Sequence, residues 1–252
     1  MEKTINFDLV SDLYDSYVQV DYDIPFYKEF CRGYGRILEL MCGTGRISLP
    51  LLAEGYNLTC VDYSQGMLDA FRVKLPASSH ANLFCQDVSE LDIDGQFDLI
   101  MIPFNSFTEI TDKAKQQRAI QRVYEHLAPG GVFFCTLYNP EYRKKAADGN
   151  MKCLGKSSIA DNKTLIVTYH NYQDGDEIIC GTQFYEIYGP DHKLIEKRFM
   201  DIRFALMTKE EIVHMCEAAG FGLREIYGDY SLSPFSADSM FMNCIFAKQN
   251  NY

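Results

Sequence analysis

The chain has 252 residues, of which 47% are hydrophobic, so it is long enough to bury one sizeable core. Its 24 basic and 35 acidic residues give a formal net charge of −11, and such a surface repels nucleic-acid phosphates and anionic membranes. With no charged-then-apolar leader and no apolar run near the ~18 residues of a membrane span, the sequence predicts a cytoplasmic protein without nucleic-acid or membrane partners.

The cysteine and histidine patterns indicate neither disulfides nor a metal site. The nine cysteines are odd in number and form no CxxC pair. Cys60, Cys85, Cys135 and Cys244 lie in apolar runs, so we expect them to be small core residues in a reducing environment. The five histidines are scattered without the spacing of metal ligands, and no metal site is predicted.

The first part of the chain is predicted to be helical. Residues 1–34 are rich in aromatic side chains, and Pro25 is placed to open a helix that runs to about Cys31. The aromatic residues are Phe7, Tyr14, Tyr17, Tyr22, Phe26, Tyr27 and Phe30.

Strands and helices then alternate up to residue 138. The predicted strands cover 36–40, 57–61, 82–86, 97–102 and 132–138, and the predicted helices cover 45–54, 64–75 and 113–127. Strands that are nearly all apolar, joined by helical crossovers, are typical of a parallel sheet covered on both faces. Ser64 is the expected N-cap of the second of these helices.

The pattern changes after residue 150. Three runs rich in β-branched and aromatic residues, 163–172, 177–188 and 193–206, predict a three-stranded antiparallel meander. A helix at 208–219 follows, with a capping box formed by Thr208 and Glu211, and strands at 222–228 and 240–248 complete the chain. We therefore predict one α/β domain built from 1–150 and 207–252, with 151–206 as an inserted antiparallel β subdomain.

The most informative run is Arg36-Ile-Leu-Glu-Leu-Met-Cys-Gly-Thr-Gly-Arg46, which predicts a buried strand, a glycine turn and the start of a helix. The next two predicted strands end in Asp62 and Asp87. Carboxylates at the carboxyl ends of neighbouring parallel strands are typical of a nucleoside-binding crevice. As a dinucleotide fingerprint the turn is incomplete, because Ser48 occupies the third glycine position.

The particular acids favour S-adenosylmethionine over a dinucleotide. Glu39, just before the turn, would face the pyrophosphate of NAD unfavourably but suits the cationic amino end of a methionine moiety. Asp62 is placed to accept hydrogen bonds from both ribose hydroxyls. Asp87 is placed to accept one from the exocyclic amine of adenine.

On these motifs the chain resembles the class I S-adenosylmethionine-dependent methyltransferases. The resemblance covers about residues 36–138, and the closing helix and hairpin at 208–248 also fit. It implies a Rossmann-like, mostly parallel seven-stranded sheet with an antiparallel C-terminal hairpin. The matching runs are Leu38-Glu-Leu-Met-Cys-Gly-Thr-Gly45, Val61-Asp-Tyr-Ser-Gln-Gly-Met-Leu68, Gln86-Asp-Val88, Phe97-Asp-Leu-Ile100 and His126-Leu-Ala-Pro-Gly-Gly-Val132.

The resemblance also implies roles for individual residues. Glu39, Gly43 and Gly45 would contact the methionine end of the cofactor, and Asp62 would hold the ribose. Tyr63 and Met67 would pack the adenine, and Asp87 with the backbone of Val88 would contact its edge. Residues 1–34 would form a lid, with Tyr14 near the methionine end. Pro103 and Phe104 would lie beneath the sulfonium. Met41 departs from the family pattern, which often has glycine or alanine there.

The acceptor is expected to be a small molecule. Amide and DNA-adenine methyltransferases of the family commonly carry an Asn/Asp-Pro-Pro-Tyr type motif after strand four, whereas this chain has Pro103-Phe-Asn-Ser-Phe107. The inserted meander is similar in layout to the substrate-covering sheet of aminosugar and glycine N-methyltransferases. The reaction would be an N- or O-methylation that works by proximity and desolvation and releases S-adenosylhomocysteine.

Several side chains are candidates for acting on the acceptor. Tyr14, Tyr138, His170 and Tyr230 are possible bases or orienting groups, and Arg203 would pair an acceptor carboxylate or phosphate if it points inward. His170 and Arg203 also have structural interpretations, the latter as a partner of Asp201 or Asp229. The Arg143-Lys-Lys145 run is interpreted as a solvated face.

Two other functions remain open from the sequence. One is an NAD-dependent oxidoreductase, which Glu39 and the incomplete fingerprint disfavour. The other is a non-catalytic S-adenosylmethionine-binding protein, because an intact motif set does not establish turnover. The assembly is expected to be a monomer or a homodimer.

Overall fold

A computed structural model describes residues 5–76, 79 and 81–249, which fold into two sheets. The strands, in chain order, are β1 Ile37–Leu40, β2 Leu58–Asp62, β3 Ala81–Cys85, β4 Phe97–Ile102, β5 Leu127–Tyr138, β6 Lys152–Ile159, β7 Lys163–Asp174, β8 Ile178–Tyr188, β9 Leu194–Ala205, β10 Phe221–Tyr227 and β11 Phe241–Lys248. The α-helices are α1 Tyr14–Tyr17, α2 Ile24–Phe30, α3 Ser48–Ala53, α4 Gln65–Lys74, α5 Lys113–His126, α6 Pro140–Ala146 and α7 Lys209–Ala218.

The larger sheet, sheet A, has seven strands in the order β10-β11-β5-β4-β1-β2-β3. Strands β1 to β5 run parallel, and β11 pairs antiparallel with both β5 and β10. The predicted fold class, a mostly parallel α/β sheet with an antiparallel C-terminal hairpin, is therefore confirmed. Every residue of β1 is buried, as expected for a strand covered on both faces.

Helices cover both faces of sheet A and enclose two hydrophobic clusters. Helices α5 and α7 contribute Ile120, Val123 and Ile212 to one cluster. Helices α2, α3 and α4 contribute Tyr27, Leu51 and other residues to the cluster on the opposite face. Two predicted caps are present: the Ser64 hydroxyl accepts from the Met67 amide, and Thr208 and Glu211 form the capping box of α7.

The smaller sheet, sheet B, is antiparallel with the order β6-β7-β8-β9. The three strands of the predicted meander are present as β7, β8 and β9, and a fourth strand, β6, was not predicted. Its sequence, Lys-Cys-Leu-Gly-Lys-Ser-Ser-Ile, contains a glycine, and none of its residues is buried, so it has little apolar pattern of its own. Its pairing with β7, interrupted between Cys153 and Gly155, defines it as a strand.

The N-terminal segment is less helical than predicted. Its described residues contain a short 3₁₀ turn at Phe7–Leu9 and the helices α1 and α2, while residues 1–4 lie outside the described part of the chain. Pro25 does lie in the first turn of α2. Ile5, Val10 and Leu13 are buried against Leu165, Val167 and Tyr185 of sheet B. The part of the segment before α1 is therefore held by single side chains that pack on sheet B, and not by the face of a helix.

All nine cysteines lie in described residues and are free thiols. Cys60, Cys135 and Cys244 are buried, as predicted, but Cys85 is exposed because β3 is an edge strand of sheet A. Within the described residues, none of the helices has the length and apolar character that a membrane crossing requires.

Candidate functional site

The loop after β1 holds its shape through left-handed backbone at Met41, Gly43 and Gly45, whose φ angles are 58°, 56° and 83°. At Met41 this conformation costs a side-chain-bearing residue roughly 1–2 kcal/mol, so a glycine would suit the backbone better there. The Met41 side chain packs against the core cluster beneath α5 and α7. It therefore points into the domain rather than into the crevice above the loop.

The two glycines of the loop differ in their surroundings. A Cβ atom on Gly45 would overlap the Phe71 ring, whereas one on Gly43 would meet nothing within 4 Å. The Gly43 amide donates to Asp62 Oδ2 at 2.8 Å, and the Ser64 amide donates to Asp62 Oδ1 at 2.8 Å. Asp62 thus ties the ends of β1 and β2 together and leaves open space beside Gly43.

Glu39 is buried directly under this loop, with 1% of its surface exposed. Its Oε2 accepts a hydrogen bond from the Ser48 hydroxyl, so the residue in the third glycine position serves as a partner of this carboxylate. Burial raises the pKa of Glu39 to about 7, against the lowering effects of the Ser48 hydrogen bond and the Arg46 charge. The site therefore holds an acid that changes charge near neutral pH.

Arg46 joins the loop to the N-terminal segment, a link that the sequence did not reveal. Its two terminal nitrogens donate to the two oxygens of Asp23 at 2.6 and 2.7 Å, and it also donates to Val20 O. The Asp23 side chain is fully buried. The guanidinium carbon lies 4.2 Å from the centre of the Phe104 ring, so Arg46 also contacts the exit of β4.

The exit of β4 carries an unusual backbone. Phe104 and Asn105 are consecutive non-glycine residues with φ angles of 57° and 62°. Such conformations are kept where the surrounding structure demands them and are frequent at functional sites. Asn105 is buried, and its Oδ1 has no hydrogen-bond partner among the residues that the structure describes. A ligand that donates a hydrogen bond would satisfy this atom.

Tyr14 and Glu109 lie close to Asp62, in the crevice at the carboxyl edge of sheet A. Tyr14 is placed by α1, and Glu109 ends a short 3₁₀ helix, Ser106–Glu109, that packs against β5 and β9. Burial raises the Tyr14 pKa, and the Glu109 charge raises it further. Burial also raises the Glu109 pKa well above its ordinary range, and the Asp62 charge adds to this effect. Sequence reasoning missed Glu109, because no motif marks an acid in the turn after β4.

At the ends of β2 and β3, the predicted adenine-side residues lie together near the N-terminal segment. The Tyr63 hydroxyl donates to Ile5 O, and Met67 is buried. Asp87 Oδ1 accepts from the amide and hydroxyl of Ser89, both at 2.8 Å, and its Oδ2 pairs with Lys115 at 3.3 Å. Burial alone would raise the Asp87 pKa, but the Ser89 hydrogen bonds and the Lys115 charge lower it overall. Val88, the next residue, is buried.

Two candidate catalytic residues are placed away from the crevice. Alternation along β9 puts Met200, Ile202 and Phe204 on the inner face of sheet B, so Arg203 lies on the outer face. Arg203 is half-exposed and its nearest acid is Asp174, at 3.9 Å. The condition for an acceptor-binding role of Arg203, an inward-pointing side chain, is therefore not met, and its acidic neighbour is Asp174 rather than Asp201 or Asp229.

His170 lies on the same outer face by the alternation along β7. Its ring stacks with Tyr172 and Phe184, with ring centres 5.9 and 6.3 Å apart. This is a structural environment, which agrees with the structural interpretation of His170 and not with the catalytic one.

Tyr230 lies in an aromatic cluster at the carboxyl end of β5, beside the amino end of the antiparallel strand β11. Its hydroxyl donates to Thr136 Oγ1 at 3.4 Å, and its ring packs against Tyr22 and Phe241. Burial raises its pKa. Tyr138, the other tyrosine named from the sequence, also packs on Phe241, with ring centres 5.4 Å apart. Both tyrosines therefore lie beside β5, which is separated from β2 and its Asp62 by strands β4 and β1.

A row of aromatic rings connects the crevice to sheet B. Tyr14 packs edge-on against Tyr17, with ring centres 5.5 Å apart, and Tyr17 packs against Tyr185 of β8 at 5.4 Å. The Tyr17 and Tyr185 hydroxyls are 3.1 Å apart. Phe26, Tyr27 and Phe30 pack instead on Phe134 and belong to the core of sheet A.

The residues around the crevice suit S-adenosylmethionine, the cofactor that the sequence resemblance implies. Gly43 leaves room for a ligand, and Asn105 Oδ1 can accept a hydrogen bond from one. The acids Glu39, Asp62 and Glu109 suit a ligand with cationic groups. Within the described ranges, no cluster of three or more His, Cys, Asp or Glu side chains has the arrangement of a metal site.

Comparison with known proteins finds the same kind of domain. Residues 37–131 match a family model described as a methyltransferase domain. The chain is 27% identical over 209 residues to the putative methyltransferase YqeM of Bacillus subtilis, covering 81% of each chain.

Solved structures share the whole fold. The CcbJ methyltransferase of Streptomyces caelestis superposes with a TM-score of 0.80 at 21% identity, covering 99% of this chain and 100% of that one. The sugar N-methyltransferase KedS8 of Streptoalloteichus superposes with a TM-score of 0.77 at 18% identity, covering 95% of this chain and 92% of that one. At these identities the structural likeness concerns the fold.

Proposed function

Because this chain is a class I S-adenosylmethionine-dependent methyltransferase, we propose that it methylates an amine nitrogen of a small-molecule acceptor. The observation that carries this proposal is the Glu109 carboxylate, which has no hydrogen-bond or ion-pair partner among the described residues although burial and Asp62 raise its pKa. The likeness to a sugar N-methyltransferase supports the same choice of acceptor atom.

The proposed cofactor contacts follow the carboxyl edge of sheet A. Glu39, Gly43 and Gly45 hold the methionine end, Asp62 holds the ribose, and Tyr63 and Met67 pack the adenine. Asp87 and the Val88 backbone contact the adenine edge, while Pro103 and Phe104 lie beneath the sulfonium. Tyr14 closes the methionine end from the N-terminal segment. When bound, the cofactor supplies an electrophilic methyl group on a good leaving group.

The protein's own task is then positioning, desolvation and removal of one proton. A small amine is protonated at neutral pH and attacks only after it loses a proton. Glu109 is suited to accept that proton, because its raised pKa brings it closer to the pKa of the amine. Because its pKa is raised, the Tyr14 hydroxyl stays protonated and would be able to donate a hydrogen bond to a bound ligand.

Sheet B and residues 5–34 are proposed to cover the acceptor. Ile5, Val10 and Leu13 pack on the inner face of sheet B, and Arg46 with Asp23 fixes the same segment to the loop after β1. Residues 151–206 would thus act as the acceptor-covering subdomain, and the N-terminal segment as the lid that excludes water.

Labelled methyl transfer tests the choice of a nitrogen acceptor. Purified protein with methyl-labelled S-adenosylmethionine is incubated with matched pairs of small molecules that differ only in an amine or a hydroxyl group. We expect label on the amine members alone, and Glu109→Gln to lower their single-turnover rate by about 10²- to 10⁴-fold, the usual contribution of a general base.

The matched control is Glu90→Gln, which alters an exposed acid in the turn after β3 and should leave the rate unchanged. S-adenosylmethionine binding by Glu109→Gln is measured in parallel to separate a chemical defect from a binding defect. Transfer to hydroxyl members only, or full amine activity in Glu109→Gln, would refute the proposal.

A further inference from the structure

Arg143 on α6 is held between two aromatic rings. Its guanidinium carbon lies 4.7 Å from the centre of the Tyr138 ring and 4.6 Å from that of Phe204. Arginine commonly stacks on aromatic faces, and stacking fixes the plane of the guanidinium without using its N–H donors. The sequence expectation of a solvated face at 143–145 is therefore wrong for Arg143, although Lys145 is exposed.

The positive charge of Arg143 has no acidic partner among the described residues. Arg46, Arg72 and Arg198, by contrast, each form a salt bridge with an aspartate. The groups that act on the charge of Arg143 are the two tyrosines Tyr138 and Tyr169, and burial lowers its pKa. An arginine nonetheless stays charged in proteins, so a largely desolvated guanidinium calls for an anion.

Arg143 lies between the two sheets on the acceptor side. Tyr138 ends β5 at the carboxyl edge of sheet A, while Phe204 and Tyr169 belong to the inner face of sheet B. Asn171 follows Tyr169 on that face, and its buried Oδ1 has no partner among the described residues. The Arg143 guanidinium, which has no acidic partner among the described residues, and the Asn171 side-chain oxygen, which has no donor among them, thus both lie along the inner face of sheet B.

We propose that Arg143 binds a carboxylate of the methyl acceptor, so that the acceptor is an amine that also carries an acid group. This inference rests on the proposed function, because it places the acceptor between sheet A and sheet B. The fork of a guanidinium matches the two oxygens of a carboxylate. A single arginine suits a singly charged carboxylate better than a phosphate dianion, and the net charge of −11 also opposes a doubly charged ligand.

The test compares amino acids with their amides as acceptors, because the two differ in the carboxylate and keep the amine. For the wild-type protein we expect a lower KM for the acids. Arg143→Met should raise the KM for the acids by about 10- to 100-fold, the loss of a charge-assisted pair, and leave the KM for the amides unchanged. Arg143→Lys should give an intermediate KM, since the charge is kept and the fork is lost.

Two controls keep the outcome interpretable. Lys145→Met removes an exposed charge from the same helix and should change neither KM. S-adenosylmethionine affinity of Arg143→Met should match that of the wild type, which shows that the variant is folded. An acid-to-amide KM ratio that is one in the wild type, or that survives in Arg143→Met, would overturn the inference.

Binding without turnover separates this inference from the proposed function. Calorimetric titration of amino acids into protein saturated with S-adenosylhomocysteine should show binding that Arg143→Met loses. Arg143-dependent binding in protein that methylates no amine would support the carboxylate subsite while the proposed function fails. Tighter Arg143-dependent binding of inorganic phosphate than of any amino acid would overturn the carboxylate assignment.

Discussion

Replacing Asp23 with alanine is expected to lower the free energy of unfolding by about 3–5 kcal/mol. Asp23 is fully buried and forms two hydrogen bonds with Arg46, whose side chain is only 14% exposed. Removing the acid leaves a buried cation without its partner, which is far more destabilising than losing a surface pair. Urea unfolding, followed by circular dichroism, measures the change.

A double-mutant cycle identifies the cause. Arg46→Met added to Asp23→Ala should recover part of the lost stability, because the uncompensated charge is then gone. The matched surface control is Asp69→Ala, which removes an exposed partner of Arg72 and should change stability by less than about 1 kcal/mol. Equal effects of Asp23→Ala and Asp69→Ala would contradict the role given to the Arg46–Asp23 pair.

Replacing Glu39 with glutamine is expected to raise stability at pH 8 and to weaken cofactor binding. The pKa of Glu39 is raised to about 7 by burial, so the folded state favours its neutral form. Its stabilising contribution is complete below about pH 4.5 and is lost as the pH rises through about 7. For a shift of this size the loss is on the order of 3 kcal/mol.

The difference in unfolding free energy between Glu39→Gln and the wild type should therefore grow in favour of the variant from pH 5 to pH 8. Wild-type affinity for S-adenosylmethionine should fall about tenfold per pH unit below pH 7, because the cationic amino end of the ligand requires the ionised acid. In Glu39→Gln the affinity should be weak at every pH. If the unfolding free energies of Glu39→Gln and the wild type change in parallel from pH 5 to pH 8, Glu39 does not titrate in this range. If the two proteins also bind S-adenosylmethionine equally well, Glu39 does not contact the ligand.

The parts of the fold with a local signal were predictable from the sequence. Strands β1 and β4 are apolar except for Glu39 and Asp98, and α7 carries its capping box, so each is specified by its own residues. Strand β6 lacks such a pattern and forms because β7 offers an edge for pairing. The site followed the same division: Glu39 and Asp62 lie in motifs, whereas Glu109 and Arg143 acquire their surroundings only from the tertiary structure.

The outward position of Arg203 follows from the residue pattern of β9. Met200, Ile202 and Phe204 alternate along β9 and form an apolar face, so a residue at an odd position between them belongs to the opposite face. The same reasoning applies to His170, which alternates with Val167 and Tyr169 on β7. In a half-buried strand, the alternation of apolar residues thus predicts which polar side chains lie on the inner face and which on the outer face.

Calorimetric titration of the wild-type protein with S-adenosylmethionine, S-adenosylhomocysteine and NADH tests most directly which ligand binds at the carboxyl edge of sheet A. We predict binding of both adenosyl ligands and none of NADH, because the buried acid Glu39 suits a cationic amino end and repels a pyrophosphate. Binding of NADH without binding of either adenosyl ligand would contradict the assignment of this site to S-adenosylmethionine.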